Sequence, residues 1–436
     1  MMKQYRPLIL HLLSWLVMLA CSCHAVHAAL EVEVTRGISG AFPIAVVPFG
    51  GNLPGAAQMA QIIESDLVRS GRFAAVPQSQ FPERPTQAED VHFDSWRGHG
   101  AESLVIGKLQ QAPDGQLAVQ FRLYDLVRQA QLAGYDLHFP PGQWRIMAHR
   151  IADILYERLT GERGAFGTRI AYVRVGKPGP EHFALCVADS DGANEQIILR
   201  SRQPIISPAW SPDGRRIAYV SFESRFPAIF IQEVYTGKRQ KVSSRPGLNS
   251  APTWSPDGRT LVMTLSKGSN ADLYSLNLES KQLQQLTTDP AIDTEASFAP
   301  DGQSLVFTSD RGGTPQIYQL SLQDGAIKRL TFEGSYNARA RFSPDGRYLA
   351  LVRGDRRRYR IGVMRLEDGL MRYLSNGPLD EAPSFSPNGA MIMFSRAAGQ
   401  GSELATVSFD GRIAQRLMSR GFAVRDPAWS PFPRIQ

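Results

Sequence analysis

Five times, at almost constant spacing, the chain sets an aromatic residue before a small residue, Pro, Asp or Asn, and Gly. The copies begin at Trp210, Trp254, Phe298, Phe342 and Phe385, and a sixth, truncated copy is Trp429-Ser430-Pro431; the anchors lie 44, 44, 44, 43 and 44 residues apart. A period of about 40–45 residues suits a four-stranded propeller blade. Pro-Asp-Gly is turn chemistry, with Pro fixing φ and Gly taking the left-handed position. A short apolar run follows each turn, as in Ile217-Ala218-Tyr219-Val220 and Leu305-Val306-Phe307-Thr308. Six copies predict six blades.

The sixth copy leaves too few residues for a whole blade. Arg169-Ile170-Ala171-Tyr172-Val173 matches Arg216-Ile217-Ala218-Tyr219-Val220, yet no Trp-Ser-Pro-Asp-Gly precedes it. One blade is therefore expected to be built from both ends of the propeller sequence, residues 168–436, with a strand near Trp429 beside the Ile170–Val173 run. Such closure protects edges that would otherwise stand open.

The N-terminus reads as an export signal over residues 1–28. Lys3 and Arg6 precede an apolar stretch from Leu8 to Ala20, and Val26-His27-Ala28 is an acceptable cleavage site. Without Lys3 and Arg6 the net charge falls from +7 to +5, a scattered excess too small to argue for nucleic acid. Beyond the signal no apolar stretch is long enough to span a bilayer, so no membrane insertion is expected. Met18-Leu19-Ala20-Cys21 approximates a lipoprotein box, but with Met in place of Leu, and cleavage after Ala28 is preferred. Cys21 and Cys23 fall within the signal, which leaves Cys186 alone and no internal disulfide.

Residues 42–162 read as an α/β domain. Pro43–Phe49 and Leu104–Ile106 are buried-strand candidates, and Leu117, Val119, Phe121 and Leu123 alternate as a strand should. Helical spacing links Ala56, Met59, Ala60, Ile63 and Leu67, and again Trp144, Ala148, Ile151, Leu155 and Leu159. Residues 77–86 are a proline-rich loop. The segment 29–41 stands apart: Leu30-Glu31-Val32-Glu33-Val34 alternates, and Gly37, Ser39 and Gly40 follow. It is either the first strand of the α/β domain, which composition alone favours, or an arm that adds a strand to a partner.

Chemistry is sparse. There is no Gly-x-Ser-x-Gly elbow, no His beyond His182, and no phosphate loop. Asp189-Ser190-Asp191-Gly192 resembles the start of a calcium loop but lacks the distal Glu; it reads as a hairpin turn. His92 and His99 have no partners of metal-site type. No catalytic residue, metal or cofactor is expected. What remains is the surface before the anchors, at one mouth of the ring: Leu248, Asn249, Ser250; Asp293, Thr294, Glu295; Tyr336, Asn337, Arg339; Leu379, Asp380, Glu381. Its mixture of acidic, amide and larger side chains suits a protein-binding face.

Taken together, the signal, the Pro-Ile-Ala-Val-Val-Pro-Phe strand, Leu159-Thr160-Gly161, Thr168–Val173, Ser207–Gly214 and Pro427–Pro431 resemble the TolB family of the Tol-Pal system over essentially the whole mature chain. The resemblance implies an α/β domain followed by an all-β six-bladed propeller, in a monomeric, periplasmic, non-enzymatic adaptor that supports outer-membrane integrity and constriction at cell division. The mouth residues above would bind the lipoprotein Pal. Ala29, Leu30, Glu31, Val32, Glu33, Val34, Thr35 and Arg36 would bind TolA, which reverses the preference for a plain strand; other envelope proteins are further partners. A His that the family places in the loop before the second anchor is Leu248 here, so that contact does not carry over. The second function class is an exported propeller that binds or hydrolyses a small ligand in its channel.

Overall fold

The structure is a computed structural model and describes residues 30–433, apart from 37–39, 180, 225, 268–269, 356, 400 and 420. The signal segment 1–28, Cys21 and Ala29 therefore lie outside the described residues.

The α/β domain is a five-stranded sheet in the order Phe73–Ala75, Phe42–Val46, Ser103–Gln111, Leu117–Asp125, Ala130–Phe139. The first three strands are parallel and the rest antiparallel. Helices α1 (Gly55–Arg69) and α2 (Trp144–Thr160) bury the expected apolar stripes on one face, Met59, Ile63 and Leu67 from α1 and Ala148, Ile151 and Leu155 from α2. Gly161, at φ +76°, ends α2 in the left-handed conformation and donates its N–H to Glu157 O. The loop between Ala75 and Ser103 covers the opposite face with Phe81, Phe93 and the buried Trp96.

Residues 169–429 form six blades. In each, an aromatic anchor ends the innermost strand, and in the first five the Pro-Asp-Gly or Pro-Asn-Gly turn leads to the second. Asp213 Oδ1 accepts from Ser211 Oγ (2.5 Å) and Arg215 N (3.0 Å), while Ser211 Oγ also accepts from Arg216 N. Ser255–Asp257 and Ser343–Asp345 repeat this, so the repeated aspartates are turn caps. Each turn glycine rests against the proline of the preceding blade: a Cβ on Gly258, Gly302, Gly346 or Gly389 would lie 3.5–3.7 Å from Pro212, Pro256, Pro300 or Pro344. Pro431, from the truncated copy, does the same for Gly214.

The strand Ala423–Trp429 pairs with Arg169–Val175, placing Trp429 opposite Ile170. Trp210 Nε1 donates to Ala428 O (3.0 Å) and Trp254 Nε1 to Ala209 O (3.1 Å), so tryptophan anchors stitch neighbouring blades, including the pair at the closure.

The segment Leu30–Arg36 is not the first strand of the α/β sheet, as composition alone favours. It adds antiparallel to Ala414–Ser419 as a fifth strand of the fifth blade. The alternation is real, but among the described residues the sheet edge it meets belongs to the propeller. Leu30, 1% exposed, is clamped between the fifth and sixth blades with Tyr172, Cys186, Leu404 and Leu417.

Candidate protein-interaction site

Around the mouth, the residues before four of the six anchors, Trp254, Phe298, Phe342 and Phe385, obey a positional rule. Six residues before the anchor stand Leu248, Ile292, Tyr336 and Leu379. Three of them project large apolar side chains into solvent, with exposures of 38% for Leu248, 51% for Ile292 and 39% for Leu379. Tyr336 is half-buried, its ring edge-on to Tyr359 at 5.2 Å. Phe332 stands exposed in the connection just before Tyr336. Exposed apolar groups brought to one rim mark an interaction surface better than the same residues scattered singly.

Five residues before the anchor stand Asn249, Asp293, Asn337 and Asp380, and these correct the expected face, because all four side chains are fully buried. Asn249 accepts from Ser243 Oγ (2.5 Å) and Arg245 N and donates to Arg245 O. Asp293 takes Arg311 Nη2 at 2.7 Å. Asn337 donates to Gln316 Oε1 and Glu333 O. Asp380 accepts from Gly377 N and Arg396 Nε, both at 3.0 Å. Asn249, Asn337 and Asp380 satisfy polar groups of the connection entering their blades, and Asp293 holds Arg311 of the loop after the second strand, which are structural duties. Ser250, Thr294 and Glu381, one residue on, are half-buried at the lip.

Three residues before the anchor the innermost strand bulges. Ser207, Ala251, Glu295, Arg339, Ala382 and Asp426 all take left-handed φ between +46° and +59°, with register shifts at the same places. Six non-glycine residues in that region, one per blade, re-aim side chains into the central channel. All six line a channel cavity of about 260 Å³. Within it Arg339 Nε meets Glu295 Oε1 at 2.7 Å, and Arg339 Nη1 lies 3.6 Å from Asp426 Oδ1. Burial works against the Arg339 charge, but Glu295 and Asp426 hold its pKa above the ordinary guanidinium value. Glu295 and Arg339, expected on the outer face, therefore serve each other inside the channel. Arg341 Nη1 donates to Ala340 O and Glu295 O. The throat is thus spanned by the Glu295–Arg339–Asp426 charge pairs, beside Arg341 on backbone carbonyls.

Of the residues expected in the N-terminal arm, Leu30 is buried, Val32 half-buried, and Glu33, Val34 and Thr35 exposed. Thr35 Oγ1 donates to Ala414 O at 3.0 Å. Beyond the fifth-blade edge, Leu30 rests on the turn between Phe183–Asp189 and Gln196–Ser201: a Cβ on Gly192, at φ +85°, would lie 2.6 Å from Leu30 Cβ. Sequence reading missed Ile292 as a rim residue; aligning the repeats at six residues before the anchor finds it.

The fold is a six-bladed propeller with an apolar rim, a charge-paired throat and a docked N-terminal edge strand, preceded by an α/β domain. No helix of the described residues is long and apolar enough to cross a membrane. Residues 156–433 match the TolB beta propeller domain model, and residues 30–132 match the TolB amino-terminal domain model. The Tol-Pal system protein TolB of Thioalkalivibrio sulfidiphilus is 61% identical over 411 residues, 93% of this chain and 94% of the relative. That of Nitrosococcus oceani is 58% identical over 426 residues, 97% of each chain. The crystal structure of TolB from Acinetobacter baumannii matches with a TM-score of 0.87 at 40% identity, covering 92% of this chain and all of that one. The chain belongs to the TolB family.

Proposed function

We propose that this protein is a periplasmic, non-enzymatic adaptor of the Tol-Pal system that binds the lipoprotein Pal at the propeller mouth and TolA through the N-terminal arm. In this role it would support outer-membrane integrity and constriction during division. The observation that carries the reading is the rim of Leu248, Ile292 and Leu379 around a throat where Glu295 and Asp426 already pair with Arg339. It offers a partner apolar contacts, with Ser250, Thr294 and Glu381 supplying polar ones at the lip. The signal-like N-terminus supports export, and the names of the relatives support the system.

The docked arm adds a condition. Leu30 cannot contact TolA while it is buried between two blades, so TolA must bind an undocked arm. Any ligand at the mouth that favours one arm state then shifts TolA affinity, and the factor is reciprocal. Calorimetric titration of a TolA periplasmic domain, with and without saturating Pal domain, tests this. The reading expects a changed TolA affinity and the same factor in the reverse experiment. Equal affinities would leave two independent sites.

A further inference from the structure

The α/β domain meets the sixth blade through ionised side chains withdrawn from water. Asp66 and Arg69 come from α1, Arg145 and His149 from α2, and Asp189 and Asp191 from the turn between Phe183–Asp189 and Gln196–Ser201. His149 is 2% exposed and Asp66 is 1% exposed. His149 Nδ1 lies 2.6 Å from Asp66 Oδ2, and Arg69 Nε takes Asp66 Oδ1 at 2.9 Å. Arg69 crosses to the blade, donating to Ser190 Oγ (2.8 Å) and Ser190 O (3.3 Å). Arg145 crosses too, from Nε to Asp189 Oδ2 (3.0 Å) and from Nη2 to Asp191. His149 Nε2 has no hydrogen-bond partner and faces Asp189 Oδ2 and Asp191 Oδ2, both at 3.9 Å.

Three carboxylates stand here against two guanidiniums. A doubly protonated imidazole completes the balance, with its second N–H facing the blade carboxylates. Asp66, His149 and Asp191 are residue types that also hold metals, but Arg69 and Arg145 already occupy the carboxylates, so a cation would have to displace a guanidinium. The same turn receives Leu30 at Gly192. A fourth carboxylate, Asp153 of α2, accepts the N–H groups of Phe166 (2.6 Å) and Gly167 (3.1 Å) in the segment leading into the propeller.

We propose that His149 is a proton-operated latch: its protonated form clamps the Asp189–Gly192 turn to α2, and thereby holds the surface on which the N-terminal arm docks. Burial disfavours the His149 charge, yet Asp66 and then Asp191 hold its pKa above the ordinary value, with Arg69 opposing them. A histidine raised in this way stabilises the contact below its free pKa, near 6.5, and loses that contribution as pH rises through the docked value. Burial pushes Asp153 up to about 6, against its two N–H donors. Its contribution is also lost as pH rises through about 6, so both groups loosen the junction in the same direction. Asp191 is held below the ordinary carboxylate value despite burial, by Arg69, His149 and Arg145, and stays ionised across this window. Each unit of pKa difference between docked and undocked states changes the docking equilibrium by about tenfold.

The test is hydrogen exchange of the full mature chain between pH 5.5 and 8.5, corrected for intrinsic rates, with the His149 ring titrated by NMR. Protection of residues 189–194 and 30–36 should fall together as pH rises, with the upper midpoint at the His149 pKa, itself above 6.5. His149→Gln should remove the dependence above pH 6.5, and Asp191→Asn should move the midpoint to lower pH. A wild-type His149 that titrates below 6.5, or protection of the turn equal at pH 6 and 8.5, overturns the latch whether or not the variants fold. Turn protection that falls while the arm stays protected overturns the link to the arm.

Discussion

Replacing Gly192 with Ala should release the N-terminal arm without altering a residue of the arm. The new Cβ would stand 2.6 Å from Leu30 Cβ and 3.2 Å from Leu30 O, closer than carbon atoms pack at about 3.5–4 Å. The turn is gripped by Arg69 and Arg145 on its other side, so Leu30 is the partner that yields. Leu30 is almost fully buried, and losing that burial costs about 2–3 kcal/mol. The docking equilibrium should therefore fall by roughly 30- to 150-fold. Alanine at φ +85° also strains the turn, by about 1–2 kcal/mol. Gly237→Ala controls for this, because Gly237 sits in a turn at φ +70° with nothing within 4 Å of its Cβ position. Hydrogen exchange of residues 30–36 measures the outcome: faster by the stated factor in Gly192→Ala, and as wild type in Gly237→Ala. Equal protection in both variants would refute the seating of Leu30 on this turn.

The other expectations follow from burial and closure. Asp380→Ala removes the carboxylate that holds Arg396 and the Gly377 N–H and should cost about 3 kcal/mol, whereas Glu381→Ala at the lip should cost under about 0.5 kcal/mol; urea unfolding of the two variants compares them. Truncation before Asp426 removes Ala428 and Trp429 from the closure strand and should lower the melting temperature of the whole ring, while an unchanged melt would mean that the ring does not depend on that strand. Trp210→Phe deletes one hydrogen bond across the closure and should cost about 1 kcal/mol by the same unfolding assay.

The propeller was legible because its signal is repeated: six anchors in register set the blade count, and the Pro-Asp-Gly turns formed as their chemistry requires. Three things were not legible, each for a physical reason. The strand Ala130–Phe139 does alternate, with Ala133, Tyr135, Leu137 and Phe139 inward and Gly134, Asp136 and His138 between them, but Ala133 and Gly134 are weak strand formers and blunt the signal. The destination of Leu30–Arg36 depends on an open blade edge nearly 400 residues away, which local pattern does not encode. Asn249, Asp293, Asn337 and Asp380 read as surface because composition does not separate an exposed amide or carboxylate from one buried to satisfy a loop. Their true character lay in the repeat itself, since polar residues recur at one register position while apolar ones recur just before it.

Binding of Pal to rim variants tests the central claim most directly. Leu248→Asp, Ile292→Asp and Leu379→Asp change exposed side chains and should leave melting unaltered. Calorimetry of the Pal periplasmic domain against the triple variant should show affinity reduced at least about a hundredfold, since apolar interface anchors commonly contribute about 1–3 kcal/mol each, while TolA binding through the arm persists. A correctly folded triple variant that binds Pal as tightly as the wild type would contradict the account and place the partner on another face.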